Sequence, residues 1–184
     1  MNINTTYTKI ITDEDLMETV QHGSNLYPFQ FYYEDLSVFD FNCVEWHWHT
    51  ELEFIYIESG TVTLWIGEDQ FHLTEGNGIF INTKVLHRLY APSKALIPNF
   101  VFMPSFIAPC DSLIYQKYIL PIISSSLPFL VFHKKVCWQA KVLSIMRQII
   151  SAQDSVLSKE LLTSSLLQNL WLEIFENTDI SYQE

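Results

Sequence analysis

HWHTELEFIYIESG, residues 47–60, sets two histidines one residue apart, a carboxylate four residues after the second, an apolar strand-like run and a closing glycine. Side chains two apart on a strand share a face, so His47 and His49 point the same way. If the strand continues, Glu53 joins them; if Thr50-Glu51 forms a short turn, Glu53 lies on the next strand and can still face them. A third histidine, His87, ends a second apolar run, GIFINTKVLH, that follows Gly76-Asn77-Gly78. Three imidazoles and a carboxylate suit a divalent metal such as Zn, Fe, Mn or Ni. They equally suit hydrogen bonding to a polar ligand, or a buried network in which they satisfy one another.

Outward from this cluster the sequence reads as short strands. FQFYY, VFDFN and CVEWHWH precede it, and TVTLWIG, QFHL, GIFIN, HRLYA and NFVFM follow, rich in aromatic and β-branched residues and separated by polar turns. Ser59-Gly60 and Gly67-Glu68-Asp69 join runs at hairpin spacing. No long helical period occurs before residue 111. The pattern predicts an all-β sandwich or barrel.

After Pro109 the period changes. SLIYQKYIL predicts a short helix ended by Pro121, and LPFLVFH a returning strand. Residues 136–152 place Trp138, Val142, Ile145, Met146 and Ile149 at helical spacing. Ser158 is positioned to cap a second long helix to about Glu176, with Leu162, Leu166, Leu170 and Ile174 four apart. Its apolar stripe is wide enough to serve a partner helix, and Leu162, Leu166, Asn169 and Leu170 are the interface candidates, Asn169 as a polar residue that fixes register. The expected division is an N-terminal arm over 1–25, a barrel over 26–133 and a helical segment over 134–184. The polar arm reads as loosely attached.

The 184 residues carry a formal charge of -11, with 48% hydrophobic and 15% aromatic residues. Such a surface repels phosphate backbones, which argues against direct nucleic-acid binding by this chain. Cys43, Cys110 and Cys137 are far apart and odd in number, as expected of free thiols in a reducing compartment. The N-terminal stretch lacks the apolar core of a signal peptide and no run approaches membrane-spanning length, so a soluble cytoplasmic protein is expected.

His47-x-His49, Glu53 and Gly60 resemble the first cupin motif, and Gly76 followed by His87 resembles the second. Phe41, Asn82, Lys84 and Ala91 stand where those motifs carry glycine, proline, glycine and asparagine. HWHTELEFIYIESG, EGNGIFINTKVLHR and FVFMPSFI, followed by two helices, are similar to the N-terminal sensor domain of AraC-family transcriptional regulators over roughly residues 25–176. The resemblance implies a cupin-type jelly-roll barrel, a small-molecule effector inside it, and homodimerisation through the helices. It implies that DNA is contacted only through a C-terminal helix-turn-helix half, which this chain does not contain. On this reading the pocket candidates are His47, His49, Glu53, His87, Tyr56 and Trp65, and the chain senses a ligand without turning it over. The rival is a metal-dependent cupin dioxygenase or isomerase using His47, His49, Glu53 and His87 as ligands.

Overall fold

The computed structural model describes residues 7–178. Nine strands form two antiparallel sheets. β1 (Phe29–Asp35), β3 (Leu52–Tyr56), β6 (Gly78–Ile81), β8 (Leu96–Phe102) and β9 (Phe129–Phe132) make a five-stranded sheet in the order β1-β8-β3-β6-β9. β2 (Cys43–His47), β4 (Thr61–Ile66), β5 (Asp69–Thr74) and β7 (His87–Tyr90) make a four-stranded sheet in the order β2-β7-β4-β5. The two inner faces close on an aliphatic core that includes Ile55, Ile57, Val62, Leu64, Leu89 and Ile97.

The five-stranded sheet is covered on both sides. Its outer face carries Phe54, Phe80, Phe100, Phe102 and Phe132, all fully buried. Phe54 stacks on Phe100 with ring centroids 5.3 Å apart. This aromatic layer packs against α2 (Cys137–Ala152) and α3 (Lys159–Asn177) through residues such as Met146, Ile149, Leu167 and Trp171. Burial on both faces explains why LEFIY in β3 shows no polar alternation. Gly78 lets α2 approach: a Cβ there would meet the Ile55 carbonyl oxygen at 2.9 Å and Leu143 Cδ2 at 3.0 Å.

Two sequence expectations are corrected. VFDFN is not a strand but a pair of 3-10 turns, Leu36–Val38 and Asp40–Asn42. Asp35 accepts hydrogen bonds from the amide and hydroxyl of Ser37, and Phe41 and Asn42 have φ of 57° and 55°, so the chain turns from one sheet into the other instead of extending. The helix after Pro109 does not end at Pro121. A π-helical turn, Tyr115–Ile119, runs directly into α1 (Leu120–Ile123), so the helical chain continues through Pro121 despite the N–H donor lost there. Ser158 stands at the N-cap of α3 without a side-chain capping bond. No helix of the described residues is long and apolar enough to cross a membrane.

Residues 7–25 of the arm are docked, not loose; residues 1–6 lie outside the described residues. The Trp48 amide donates to the Leu16 carbonyl and the Glu18 amide to the Trp48 carbonyl, at 3.0 and 2.8 Å. Trp48 Nε1 donates to the Asp15 carbonyl at 2.8 Å. Alternation along this stretch turns Trp48 away from the barrel interior, where the arm, rather than a helix, covers it.

Candidate functional site

Three elements bring the histidines and Glu53 together. β2 ends at His47, a bend at Thr50-Glu51 redirects the chain, and Glu53 enters from β3 in the opposite sheet. β7 begins at His87, which pairs directly with His47 after a register shift in β2 between Val44 and His47. The result places the His47 and His87 ring centroids 4.1 Å apart and His49 5.4 Å from His87. One ring nitrogen from each of the three lies within 4.8 Å of the others, and all three residues are buried.

The tautomers follow from the partners. Nδ1 of His47 faces the Glu45 carbonyl at 2.8 Å, Nδ1 of His87 the Val85 carbonyl at 2.8 Å, and Nδ1 of His49 the Glu51 carbonyl at 3.2 Å. A carbonyl only accepts, so each Nδ1 carries the hydrogen and each Nε2 is turned toward the cluster. Glu53 Oε2 stands 3.4 Å from His49 Nε2 and 3.1 Å from His87 Nε2. The His87 nitrogen is close but poorly aligned, and it is a buried polar atom without a hydrogen bond. Two imidazole nitrogens around one carboxylate oxygen need a cation among them, either a proton or a metal ion.

The charges respond accordingly. Burial would raise the Glu53 carboxyl, but the imidazoles of His49 and His87 beside it outweigh burial and hold it far below the usual carboxylate range. Burial would lower His49, yet the neighbouring Glu53 outweighs it and raises His49. Burial and the neighbouring His87 push His47 well down, leaving it neutral. The donor set therefore fits a divalent metal: three Nε2 donors oriented by backbone carbonyls, one carboxylate, and an orphaned Nε2.

Beside this cluster lies a partly enclosed cavity of about 30 Å³, enough for about one water molecule. Its walls include Glu34 and Tyr32 of β1 and Asn99 of β8, and its roof is the arm, through Tyr7, Ile10, Glu18 and His22. The Tyr7 hydroxyl donates to Glu34 Oε1 at 2.6 Å, and Asn99 Nδ2 donates to Glu34 Oε2 at 2.8 Å. His22 lies 2.9 Å from the Tyr32 hydroxyl and 3.2 Å from Glu18 Oε2. None of these residues stands out in the sequence. Glu34 and Asn99 face each other only because β1 pairs with β8, and the arm residues have no periodic signal.

Two pocket candidates lie elsewhere. Tyr56 is three residues from Glu53 on β3 and so faces outward, where it joins the aromatic layer and stacks under Arg147. Trp65 alternates with the inward Leu64 and Ile66 and lies on the outer face of the four-stranded sheet, beneath Arg88 at 5.2 Å. The interface candidates divide. Leu166 and Leu170 are buried in this chain's own helical layer, because the stripe facing α2 uses them. Leu162 and Asn169 are exposed, together with Leu161 and Leu172.

A family model described as AraC-like ligand binding domain matches residues 31–171. An uncharacterized HTH-type transcriptional regulator, YdeC of Bacillus subtilis, is 24% identical over 143 residues, covering 76% of this chain and 48% of that protein. This chain thus spans about half the length of that relative. A crystal structure of an apo ToxT from Vibrio cholerae superposes with a TM-score of 0.56 at 11% identity, over 88% of this chain and 61% of that one. A cupin-2 domain containing protein from Shewanella frigidimarina aligns with a TM-score of 0.36 at 21% identity, over 44% of this chain and 81% of that one.

Proposed function

The chain belongs to the AraC-like ligand-binding domain family, and on that premise we propose that its cupin barrel is the effector-sensing part of a cytoplasmic transcriptional regulator. The observation that carries this reading is the cavity beside the histidines, lined by Glu18, Glu34, Glu53 and Asn99 and roofed by the N-terminal arm. A ligand larger than a water molecule would compete for this space with the arm side chains Tyr7, Ile10, Glu18 and His22. Binding and arm position are then linked, and a ligand that favours one arm position shifts the population toward it. Contact with DNA is assigned to helix-turn-helix units outside these 184 residues, as the likeness to the longer regulator YdeC supports.

The test is a thermal-shift screen of small metabolites, followed by hydrogen exchange over residues 7–22. An effector raises the melting temperature and changes exchange in the arm. A stabilising ligand that leaves the arm unchanged, and that binds Glu53→Gln and His49→Ala as well as the parent, sinks the reading.

A second reading, a metal-dependent cupin enzyme, draws on the three oriented Nε2 atoms. His47, His49, His87 and Glu53 would hold the ion, which would supply a Lewis acid and an open position for substrate. Residues of the chain would supply the rest: Tyr32 and Asn99 offer hydrogen bonds to a bound ligand, and the arm excludes water. Elemental analysis of protein purified without added metal, with turnover assays on the loaded form, decides between the readings. Metal at stoichiometry with turnover favours the enzyme; metal without turnover leaves the ion as part of the sensing site.

Dimerisation is assigned to the exposed side of α3. Leu162 and Asn169 are seven residues apart and Leu161 and Leu172 eleven apart, which puts each pair on one helix face.

A further inference from the structure

Within the cavity, one acidic group stands without any positive partner. Glu34 is almost fully buried, and its two oxygens are met only by the neutral donors Tyr7 and Asn99. Neither lysine nor arginine lines the cavity, whereas Glu18, Glu34 and Glu53 all do. The histidines do not supply the missing charge, since His22 is engaged by Glu18 and Tyr32, and His49 by Glu53. Burial accordingly pushes the Glu34 carboxyl up to about 7, despite its hydrogen bonds.

We propose that the effector carries a small alkylammonium group, which takes the place of the Tyr7 hydroxyl on Glu34. Three observations support this chemistry. The sign of the wall disfavours carboxylates and phosphates, which need cationic or backbone donors that this cavity lacks. A neutral alcohol repeats what Tyr7 already does and adds no counter-charge to a buried carboxylate. The rings of Tyr7 and Tyr32, edge to face at 6.4 Å, flank Glu34, and aromatic faces beside a carboxylate favour an alkylated cation. Because Tyr7 belongs to the arm, the exchange also removes an anchor of the roof. The inference rests on the barrel being the effector site, and it adds the charge of the ligand.

The experiment is isothermal titration of the chelator-treated full chain with three probes of one size, n-propylammonium, n-propanol and propionate, at neutral pH. Chelation keeps the amine from binding a metal at the histidines. The ammonium is expected to bind at least about tenfold more tightly than the alcohol, a difference of about 1.4 kcal/mol, with propionate weakest. Tyr7→Phe removes the competing hydroxyl and should tighten ammonium binding several-fold. Glu34→Gln should erase the preference for ammonium over alcohol, with near-UV circular dichroism confirming the fold. Equal binding of the three probes, no binding of the ammonium, or a preference that survives Glu34→Gln overturns the proposal. If propanol or propionate binds best and alters exchange over residues 7–22, the charge assignment fails while the barrel remains the effector site. If neither these probes nor any metabolite alters that exchange, both fail.

Discussion

The amide of Lys84 donates to the carbonyl of His49 at 2.7 Å, with Lys84 held at φ 61°. The loop before β7 is thereby tied to the backbone of a cluster histidine, in a conformation that favours glycine. Phe41, with φ 57° and its ring exposed, is a second position of this kind. Both stand where the cupin motifs carry glycine, so the backbone has kept the turn while the residue changed. Lys84→Gly and Phe41→Gly should each leave stability unchanged or raise it by up to about 1 kcal/mol, the relief of left-handed strain being partly offset by unfolded-state entropy. Urea denaturation checks this; a loss beyond 1 kcal/mol would show that the side chains contribute contacts worth more than the strain.

Glu34 should leave a mark on the pH dependence of stability. The folded protein keeps its proton up to about pH 7, whereas the unfolded chain releases it near 4.5. In that window the folded state binds more protons, so this group makes stability fall as the pH rises. Glu34→Gln removes that contribution, and the variant should gain on the order of 2–3 kcal/mol over the parent between the two ends of the window. The difference between the two profiles is the quantity to measure, because His47, pushed down by burial, gives the opposite slope in the same region. Parallel profiles would refute the assignment.

Loosening the arm should uncover the histidines. Trp48→Phe deletes the hydrogen bond to the Asp15 carbonyl and should weaken arm docking by about 1 kcal/mol. Reaction of His47 and His49 with an imidazole-acylating reagent, followed by mass spectrometry, should then proceed several-fold faster than in the parent. An unchanged rate would mean that the cluster is reached by a route other than the arm.

Folding and association should separate on α3. Leu170→Ala empties a fully buried site and should cost about 2–5 kcal/mol of stability at any protein concentration. Leu161→Glu combined with Leu172→Glu alters exposed positions and should leave the melting temperature nearly unchanged while shifting light scattering from dimer to monomer. A dimer that survives this pair places the interface elsewhere.

The barrel was legible because period and turn residues mark strands directly; His47, His49 and Glu53 stand out by local spacing, whereas His87 joins them only through the pairing of β2 with β7. Trp65 and Tyr56 lie on outer faces for different reasons, Trp65 because it alternates with the inward Leu64 and Ile66 on β4. The sheet containing Tyr56 is apolar on both faces, so hydrophobicity does not reveal which face turns inward; counting by twos from Glu53 does, and it excludes Tyr56. Leu166 and Leu170 form part of a stripe whose width suggested a partner, but α2 and the aromatic layer already occupy that side. Glu18, His22 and Glu34 could not be read at all. Their meeting depends on an arm docked by backbone hydrogen bonds, which leave no trace in residue type, and by side-chain bonds of Tyr7 and Trp48 to partners distant in sequence.

β3 borders the cavity and the aromatic layer at once. Glu53 looks into the cavity and Phe54, the next residue, looks into the layer beneath α2 and α3. The two compartments are thus separated by a single Cα step, about 3.8 Å. Phe54 is wedged between Phe80 and Phe100, at 5.0 and 5.3 Å, so a displacement of β3 at Glu53 would bear directly on the aromatic layer under the helices, with no longer relay between them.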